Sequence, residues 1–324
     1  MRWGIMGTGG IAAAMTGVLR SAESRVVAVG SGRADAAASF AAEHDIPTPV
    51  DSHRAVADLD DVDIVYVATT SNLHHQNVLD CIAAGKAVLC EKPVALNARD
   101  AAHMLEMARN AGVFVMEAMW MRFLPFISKL DALIAAGTIG DVTSVQADFM
   151  YMAPPDPTRR WWNRELGGGS LLDLGIYPLT LAHHLLGPPE ELAAMARLSD
   201  TGVDIDTRVI SHHAGRAAAA LSSGFTADTA NEATVAGTEG RIRVHAPFHH
   251  SPRLSVERRD EVVATHDTAY EGHGFRFEVA ETERSVAAGL IESPIRPHAD
   301  TLAVMEWMDA IRARCGVAYD ADRP

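Results

Sequence analysis

The sequence predicts an α/β protein in two parts: an N-terminal doubly wound parallel sheet, then an α+β part whose sheet is mainly antiparallel. Three observations carry this. Short apolar runs alternate with helical stretches over residues 2–116, the pattern of a parallel sheet with helices on both faces. A glycine turn follows the first run directly. After Glu117 the texture changes to strand-like segments joined by short turns. The length of 324 residues fits about two domains, placed at 1–118 and 119–324, with the closing helices free to return to the first.

Taken in order, residues 2–6 form the first strand and 7–12 the turn, and an Ala-rich helix runs to Ser21. Residues 25–29 give a second strand and 34–43 a helix with Phe40 on its apolar side. Residues 63–68 make a third, buried strand. A helix over 73–84 ends at Gly85, the residue type that tolerates a left-handed C-terminal position. Strand four is 87–90, helix 98–110 is stopped by Gly112, and strand five is 113–116. Beyond it, a helix over 125–136 precedes a strand over 142–149. Further strands fall near 192–198, 207–214, 217–226, 232–236, 240–245 and 253–265, and two helices, 275–288 and 298–313, close the chain. Residues 151–168 form a long irregular connection, a type of segment that often carries function.

Composition excludes several classes. The net charge of −14 disfavours nucleic acid, whose phosphates need a basic surface. No stretch reaches the roughly 18 apolar residues of a membrane span, and the start shows no separate apolar leader segment. Cys81, Cys90 and Cys315 are odd in number and widely spaced, which gives neither a disulfide framework nor a zinc pattern; a reducing cytoplasm is expected. The adjacent pairs His212-His213 and His249-His250 point to opposite faces if they lie on strands, so no metal site is expected.

Gly7-x-Gly9-x-x-Ala12 lies where a strand ends and a helix begins. Gly7 permits the tight turn, Gly9 lets a pyrophosphate approach the backbone, and Ala12 lets helix and strand pack closely. The helix N-terminus offers free N–H groups and partial positive charge. This is the Rossmann dinucleotide-binding arrangement. Where an NAD-binding chain carries an acid at the end of the second strand, this one has Gly30-Ser31-Gly32-Arg33. Ser31 can donate to a 2′-phosphate and Arg33 can grip it with a charged fork. NADP(H) is therefore expected over NAD(H). The competing reading of Arg33 is a solvated surface arginine.

Cys90-Glu91-Lys92-Pro93 closes the fourth strand, on the side where ligands bind in open α/β sheets. Gly167-Gly168-Gly169-Ser170-Leu171-Leu172-Asp173-Leu174-Gly175-Ile176-Tyr177-Pro178 is the second distinctive segment. If it is helical from Leu171, Asp173 and Tyr177 share one face.

With the glycine motif, 84–93 and 167–177 in view, the chain resembles the glucose–fructose oxidoreductase, inositol dehydrogenase and rhizopine-catabolism (Gfo/Idh/MocA) family over nearly its whole length. Glu117-Ala118-Met119-Trp120-Met121-Arg122-Phe123 and the Leu172–Pro178 run are most similar to its dimeric dihydrodiol dehydrogenase and NADP-dependent D-xylose dehydrogenase branch. The resemblance implies α/β architecture: an N-terminal Rossmann doubly wound parallel sheet plus a C-terminal α+β domain with a large, mostly antiparallel open sheet. It implies a catalytic group of Lys92, Tyr177 and Asp173, a cis bond before Pro93, and assembly into a homodimer or higher homo-oligomer. Tyr177 would be the acid/base; its ordinary pKa near 10 needs a nearby cation, which Lys92 would supply, with Asp173 orienting Lys92 or substrate. Asp173 as a helix-capping acid and Tyr177 as a packing tyrosine are the competing readings.

The candidate cofactor contacts are Gly7, Thr8, Gly9, Gly10, Ile11, Ser31, Arg33, Thr69, His74, Glu91 and Lys92; His74 can equally cap a helix. Trp120, Arg122 and Trp161 are candidate substrate contacts, with interface packing an equal reading for Trp120. Residues 246–252 line either a pocket or an interface. The expected activity is hydride transfer between NADP(H) and a carbinol or carbonyl of a sugar, cyclic polyol or vicinal diol. The alternative is a non-catalytic dinucleotide-binding regulator on the same fold.

Overall fold

The computed structural model describes residues 1–323. The chain divides into two compact units, Met1–Trp120 with Gly272–Leu302, and Met121–Glu271 with Ala303 onward.

In the first unit the chain runs β1 (Arg2–Met6), α1 (Gly10–Ser21), β2 (Arg25–Gly30), α2 (Ala34–Glu43), β3 (Thr48–Val50), α3 (His53–Ala57), β4 (Ile64–Val67), α4 (Ser71–Ala83), β5 (Ala87–Glu91), α5 (Ala98–Ala111) and β6 (Val115–Ala118). The six strands are all parallel, in the order β3-β2-β1-β4-β5-β6. Every residue of β4 and β5 is buried, as expected when helices cover both faces of a sheet. α5 shows how local chemistry sets its limits. Asn97 accepts from the Asp100 N–H at 2.8 Å, and Gly112 takes the left-handed conformation at φ +66°.

Five strands were expected here and six are present. β3 is three residues long and contains Pro49, too short to show an alternating pattern. α3 is five residues long, capped by Ser52, whose hydroxyl accepts from the Ala55 N–H at 3.2 Å.

A 3-10 turn, Trp120–Phe123, starts on the last residue of the first unit's opening segment and runs into the second unit, which continues with α6 (Pro125–Ala135) and β7 (Val142–Met150). The irregular connection holds two more 3-10 turns, Arg160–Trp162 and Arg164–Leu166, before a π-helical turn, Leu171–Gly175, that leads into α7 (Ile176–Leu186). Then come β8 (Pro189–Leu198), β9 (Asp204–His213), β10 (Ala218–Gly224), β11 (Ala233–Gly237), β12 (Arg241–Val244), β13 (Arg253–Arg258) and β14 (Glu261–Asp267). The order is β14-β13-β12-β11-β7-β10-β9-β8, antiparallel throughout except for the central β7–β10 pair. α7 packs on β7 and β10, and α6 on β13. β9 and β12 alternate buried and exposed residues, the mark of a sheet covered on one face. The chain closes with α8 (Phe275–Ala287), in the first unit, and α9 (His298–Cys315).

Two expectations need correction. Residues 253–265 are a hairpin and not one strand. Arg259 and Asp260 turn it with φ +49° and +67°, the two positive values of a tight hairpin turn that Asn-Gly usually signals. The helix expected from Leu171 opens into a π turn before Tyr177. A proline at 178 clashes with the carbonyl four residues earlier in a regular α-helix, and a wider turn before it removes that conflict. Single π turns of this kind are frequent at functional sites.

Candidate active site

In the first unit, the C-terminal ends of β1, β2, β4 and β5 carry the residues singled out from the sequence. Gly7 has φ +113°, and a Cβ there would lie 2.6 Å from the Ala68 carbonyl oxygen. Its N–H donates to Gly30 O at 2.8 Å, which pins the turn to the end of β2. At Gly9 and Gly10 a Cβ would meet nothing within 4 Å. α1 begins with no capping side chain and no acid in its first turn. The first-turn N–H groups and the helix dipole thus face an open approach, which suits a pyrophosphate. Thr8 is half-buried and Ile11 exposed beside this turn. Ser31 is buried at the end of β2 and accepts from the Arg33 N–H at 3.3 Å, leaving the exposed Arg33 at the start of α2.

His74 and Thr69 brace the next part of the edge. The His74 ring is 1% exposed, with Nδ1 2.8 Å from Pro93 O and Nε2 3.0 Å from Thr69 O. A carbonyl only accepts, so both bonds form together only on the doubly protonated ring. The Thr69 hydroxyl accepts from Asn77 Nδ2 at 3.0 Å. His74 thus ties the end of β4 to the segment after β5.

That segment is held from several sides. The Lys92–Pro93 bond is cis. Glu91 accepts from the Tyr66 hydroxyl through Oε1 and from the Lys92 N–H at 3.2 Å through Oε2. Val94 N–H donates to Glu117 Oε1 at 3.1 Å, and Glu117 Oε2 is paired with Arg296 at 2.5 Å in full burial. Burial, then the charge of Glu91, pushes the fully buried Glu278 carboxyl well above the usual carboxylate range. Burial likewise pushes the Tyr66 phenol up, with Glu91 adding to the effect. Lys92 itself is half-buried. Trp120 packs edge-on against Phe275 at 5.3 Å and lies 6.2 Å from His273, residues more than 150 positions away in the chain.

In the second unit, Asp173 lies in the π turn and Tyr177 in the first turn of α7, both buried. Arg160 donates to Asp173 Oδ1 at 2.9 Å. The Tyr177 ring meets Phe149 edge-on at 5.5 Å and His249 at 5.3 Å, and His249 stacks on Phe149 at 4.2 Å. Residues 246–252, left open between pocket and interface, thus contribute a side chain to the surroundings of Tyr177. Arg160, Phe149 and His249 were missed from sequence because their neighbourhood arises only on folding. Trp161 is half-buried, flanked by Arg159 and Arg160 at 5.9 and 5.6 Å from its ring, and packs on the cluster of Ala153, Trp162, Leu174 and Phe225. Arg122 is buried in the turn after Trp120. Among the described residues no group of three or more His, Cys, Asp or Glu side chains is arranged to hold a metal ion.

A parallel sheet with an uncapped glycine turn at its binding edge, joined to a unit bearing a buried tyrosine and carboxylate, defines the two-domain NAD(P)-dependent oxidoreductases. Residues 1–119 match the oxidoreductase family with an NAD-binding Rossmann fold, and residues 127–243 match the GFO/IDH/MocA C-terminal domain. The chain belongs to the Gfo/Idh/MocA oxidoreductase family and to its dihydrodiol dehydrogenase branch. It is 35% identical over 332 residues to trans-1,2-dihydrobenzene-1,2-diol dehydrogenase of Danio rerio, covering 99% of each chain. It is 34% identical over 334 residues to the Sus scrofa enzyme of that name, covering 100% of this chain and 99% of the relative. Among solved structures, KijD10, a 3-ketoreductase from Actinomadura kijaniata in complex with NADP and TDP-benzene, superposes with a TM-score of 0.87 at 27% identity over 97% of this chain and 98% of that one. Aldose-aldose oxidoreductase from Caulobacter crescentus, complexed with glycerol, gives 0.86 at 26% identity over 98% and 97%. The protein is an oxidoreductase, and its first unit is an NAD(P)-binding Rossmann domain. Each of these relatives bears the name of a dehydrogenase, reductase or oxidoreductase.

Proposed function

We propose that the protein is an NADP(H)-dependent dehydrogenase or reductase acting on the CH–OH group of a sugar, cyclic polyol or vicinal diol. The observation that carries it is the buried Asp173–Tyr177 element braced by Arg160, in a chain whose other unit binds a nicotinamide dinucleotide. The dihydrodiol dehydrogenases, the 3-ketoreductase and the aldose oxidoreductase all bear names that describe chemistry at hydroxyl-bearing carbon or its carbonyl. NADP(H) is favoured by Ser31 and Arg33 at the end of β2, with no carboxylate at the strand end, and by the NADP in the KijD10 structures.

Each residue has a role in this reading. The backbone N–H groups at Gly9, Gly10 and Ile11 hold the pyrophosphate, and Arg33 with Ser31 holds the 2′-phosphate. When bound, the nicotinamide supplies or accepts the hydride. Tyr177 takes the proton from the substrate hydroxyl in oxidation and returns it in reduction. Lys92 stabilises the negative charge that develops on the substrate or phenol oxygen. Asp173, held by Arg160, orients the group it faces. His74 and Glu91 border the cofactor in this reading, and with Glu117 they fix the backbone on both sides of Lys92. Trp120, Arg122 and Trp161 remain the proposed substrate contacts.

The test is absorbance of the reduced nicotinamide on a panel of aldoses, inositols and cyclic vicinal diols, with NADP and NAD in parallel. Turnover of at least one class, faster with NADP, is expected. Tight NADPH binding with no turnover of any would defeat the reading.

The open face of the second unit's sheet favours assembly with a second copy. Ile210 and Met195 are 60% and 78% exposed, and they are diagonal neighbours on one face, since Ile210 pairs with Ala193 and Met195 with Arg208. Among the described residues no helix is long and apolar enough to cross a membrane. The free thiols of Cys81 and Cys90 suit a reducing cytoplasm.

A further inference from the structure

Asp204, the first residue of β9, is 1% exposed. Its Oδ2 accepts three hydrogen bonds, from Ser170 Oγ at 2.7 Å, from the Leu171 N–H at 2.7 Å and from Thr207 Oγ1 at 2.8 Å. Its Oδ1 has no hydrogen-bond partner among the described residues. Leu171 is the first residue of the π turn that carries Asp173, and that turn has no capping side chain of its own. The opening N–H groups of any helical segment lack partners within it. Asp204 supplies one from 33 residues away in the chain.

The neighbouring glycines fit that arrangement. Gly169 has φ +120°, and a Cβ there would lie 2.4 Å from Asp204 Oδ1 and 3.1 Å from Tyr319 Oη. The backbone therefore passes closer to the carboxylate than any side chain allows. Tyr319 Oη donates to Gly168 O at 2.5 Å, fixing the strap one residue earlier. At the far end of the turn, a Cβ on Gly175 would meet Ser223 Oγ at 2.9 Å, and Ser223 Oγ is 3.3 Å from Ser170 Oγ. The π turn is thus held at its start by Asp204 and underneath by Ser223.

We infer that Asp204 is a positioning residue for the hydride-transfer reaction, acting as a threefold acceptor that fixes the turn bearing Asp173 and leading into Tyr177. It acts through geometry and not through its charge. The inference rests on the assignment of Asp173 and Tyr177 to catalysis given above.

The experiment compares Asp204→Ala and Asp204→Asn in the full chain, alone and combined with Asp173→Asn. Near-ultraviolet circular dichroism confirms that each variant is folded. The Asn carbonyl can accept all three donors, so Asp204→Asn is expected to keep kcat within about threefold, whereas a misplacement near 1 Å in Asp204→Ala costs roughly 100-fold in kcat. NADPH affinity is expected to stay unchanged in both. In the Asp173→Asn background the Asp204→Ala loss is expected to shrink to about threefold or less, because residues acting as a unit are not additive. If Asp204→Ala does not fold, Ser170→Ala releases one of the same bonds and should lower kcat about tenfold. A folded Asp204→Ala enzyme, or in its place Ser170→Ala, with wild-type kcat overturns the inference. So does Asn as damaging as Ala, or an equal Ala loss in the Asp173→Asn background. Wild-type kcat in Asp173→Asn and Tyr177→Phe would instead overturn the catalytic assignment itself, and this inference with it.

Discussion

The imidazole of His74 bridges two backbone segments that are distant in sequence, with Nδ1 2.8 Å from the carbonyl oxygen of Pro93 and Nε2 facing that of Thr69. A residue proposed to border the cofactor thus also ties its ring to the protein's own backbone. Its consequence for Lys92 is direct, because Pro93 is the next residue. His74→Phe keeps a ring of similar shape and removes the hydrogen bonds that the imidazole makes. Leaving a buried carbonyl without its donor costs about 1–3 kcal/mol, so a lower Tm is expected in thermal unfolding, together with a lower kcat from a less fixed Lys92.

Tyr177→Phe and Lys92→Ala are expected to cut turnover by at least about 100-fold, the scale of general acid–base catalysis. Fluorescence titration should show NADPH affinity largely retained. A turnover loss matched by an equal loss of NADPH binding would assign these residues to the cofactor and not to chemistry.

Arg33→Ala is expected to weaken NADPH by about tenfold or more, the scale of a lost charge-assisted hydrogen bond of roughly 1.5–3 kcal/mol, and to leave NADH nearly unchanged. Isothermal titration with both nucleotides measures this. Equal weakening would remove the 2′-phosphate from the account.

Glu278 offers a pH test. Its carboxyl holds a proton more tightly in the folded protein than in the unfolded chain, because burial and then Glu91 raise its folded value. Its contribution to stability is therefore fully present below the ordinary carboxylate pKa and is lost as pH rises toward the raised value. Glu278→Gln removes the titration and keeps the shape. Its Tm is expected to exceed that of the wild type at pH 8, with the gap closing toward pH 4. A gap independent of pH would show that Glu278 does not carry its proton in the folded state.

Ile210→Lys and Met195→Glu place charge on the open face of the second unit's sheet. Light scattering with size-exclusion chromatography is expected to show the wild type as a dimer or larger and these variants shifted toward monomer. A monomeric wild type at micromolar concentration would rule out that use of the face.

The sequence by itself determined what is local. Gly7-x-Gly9-x-x-Ala12 reports the turn because backbone freedom is a property of each residue, and the apolar runs 64–67 and 87–90 report burial on both faces. Glu91-Lys92-Pro93 and the Gly167–Pro178 run stood out for the same reason, being short local stretches, and the roles of Lys92, Asp173 and Tyr177 stay proposals. β3 and α3 escaped because elements of three and five residues are too short to show a period. The hairpin at Arg259–Asp260 escaped because positive φ was forced on residues that do not advertise it. Only the tertiary structure decided that Arg160 would pair with Asp173, that His249 would lie on Tyr177, and that Asp204 would hold the turn at Leu171. Those relationships depend on strands and loops that meet after pairing and packing, and no pattern within a short window encodes which distant residue a side chain will meet.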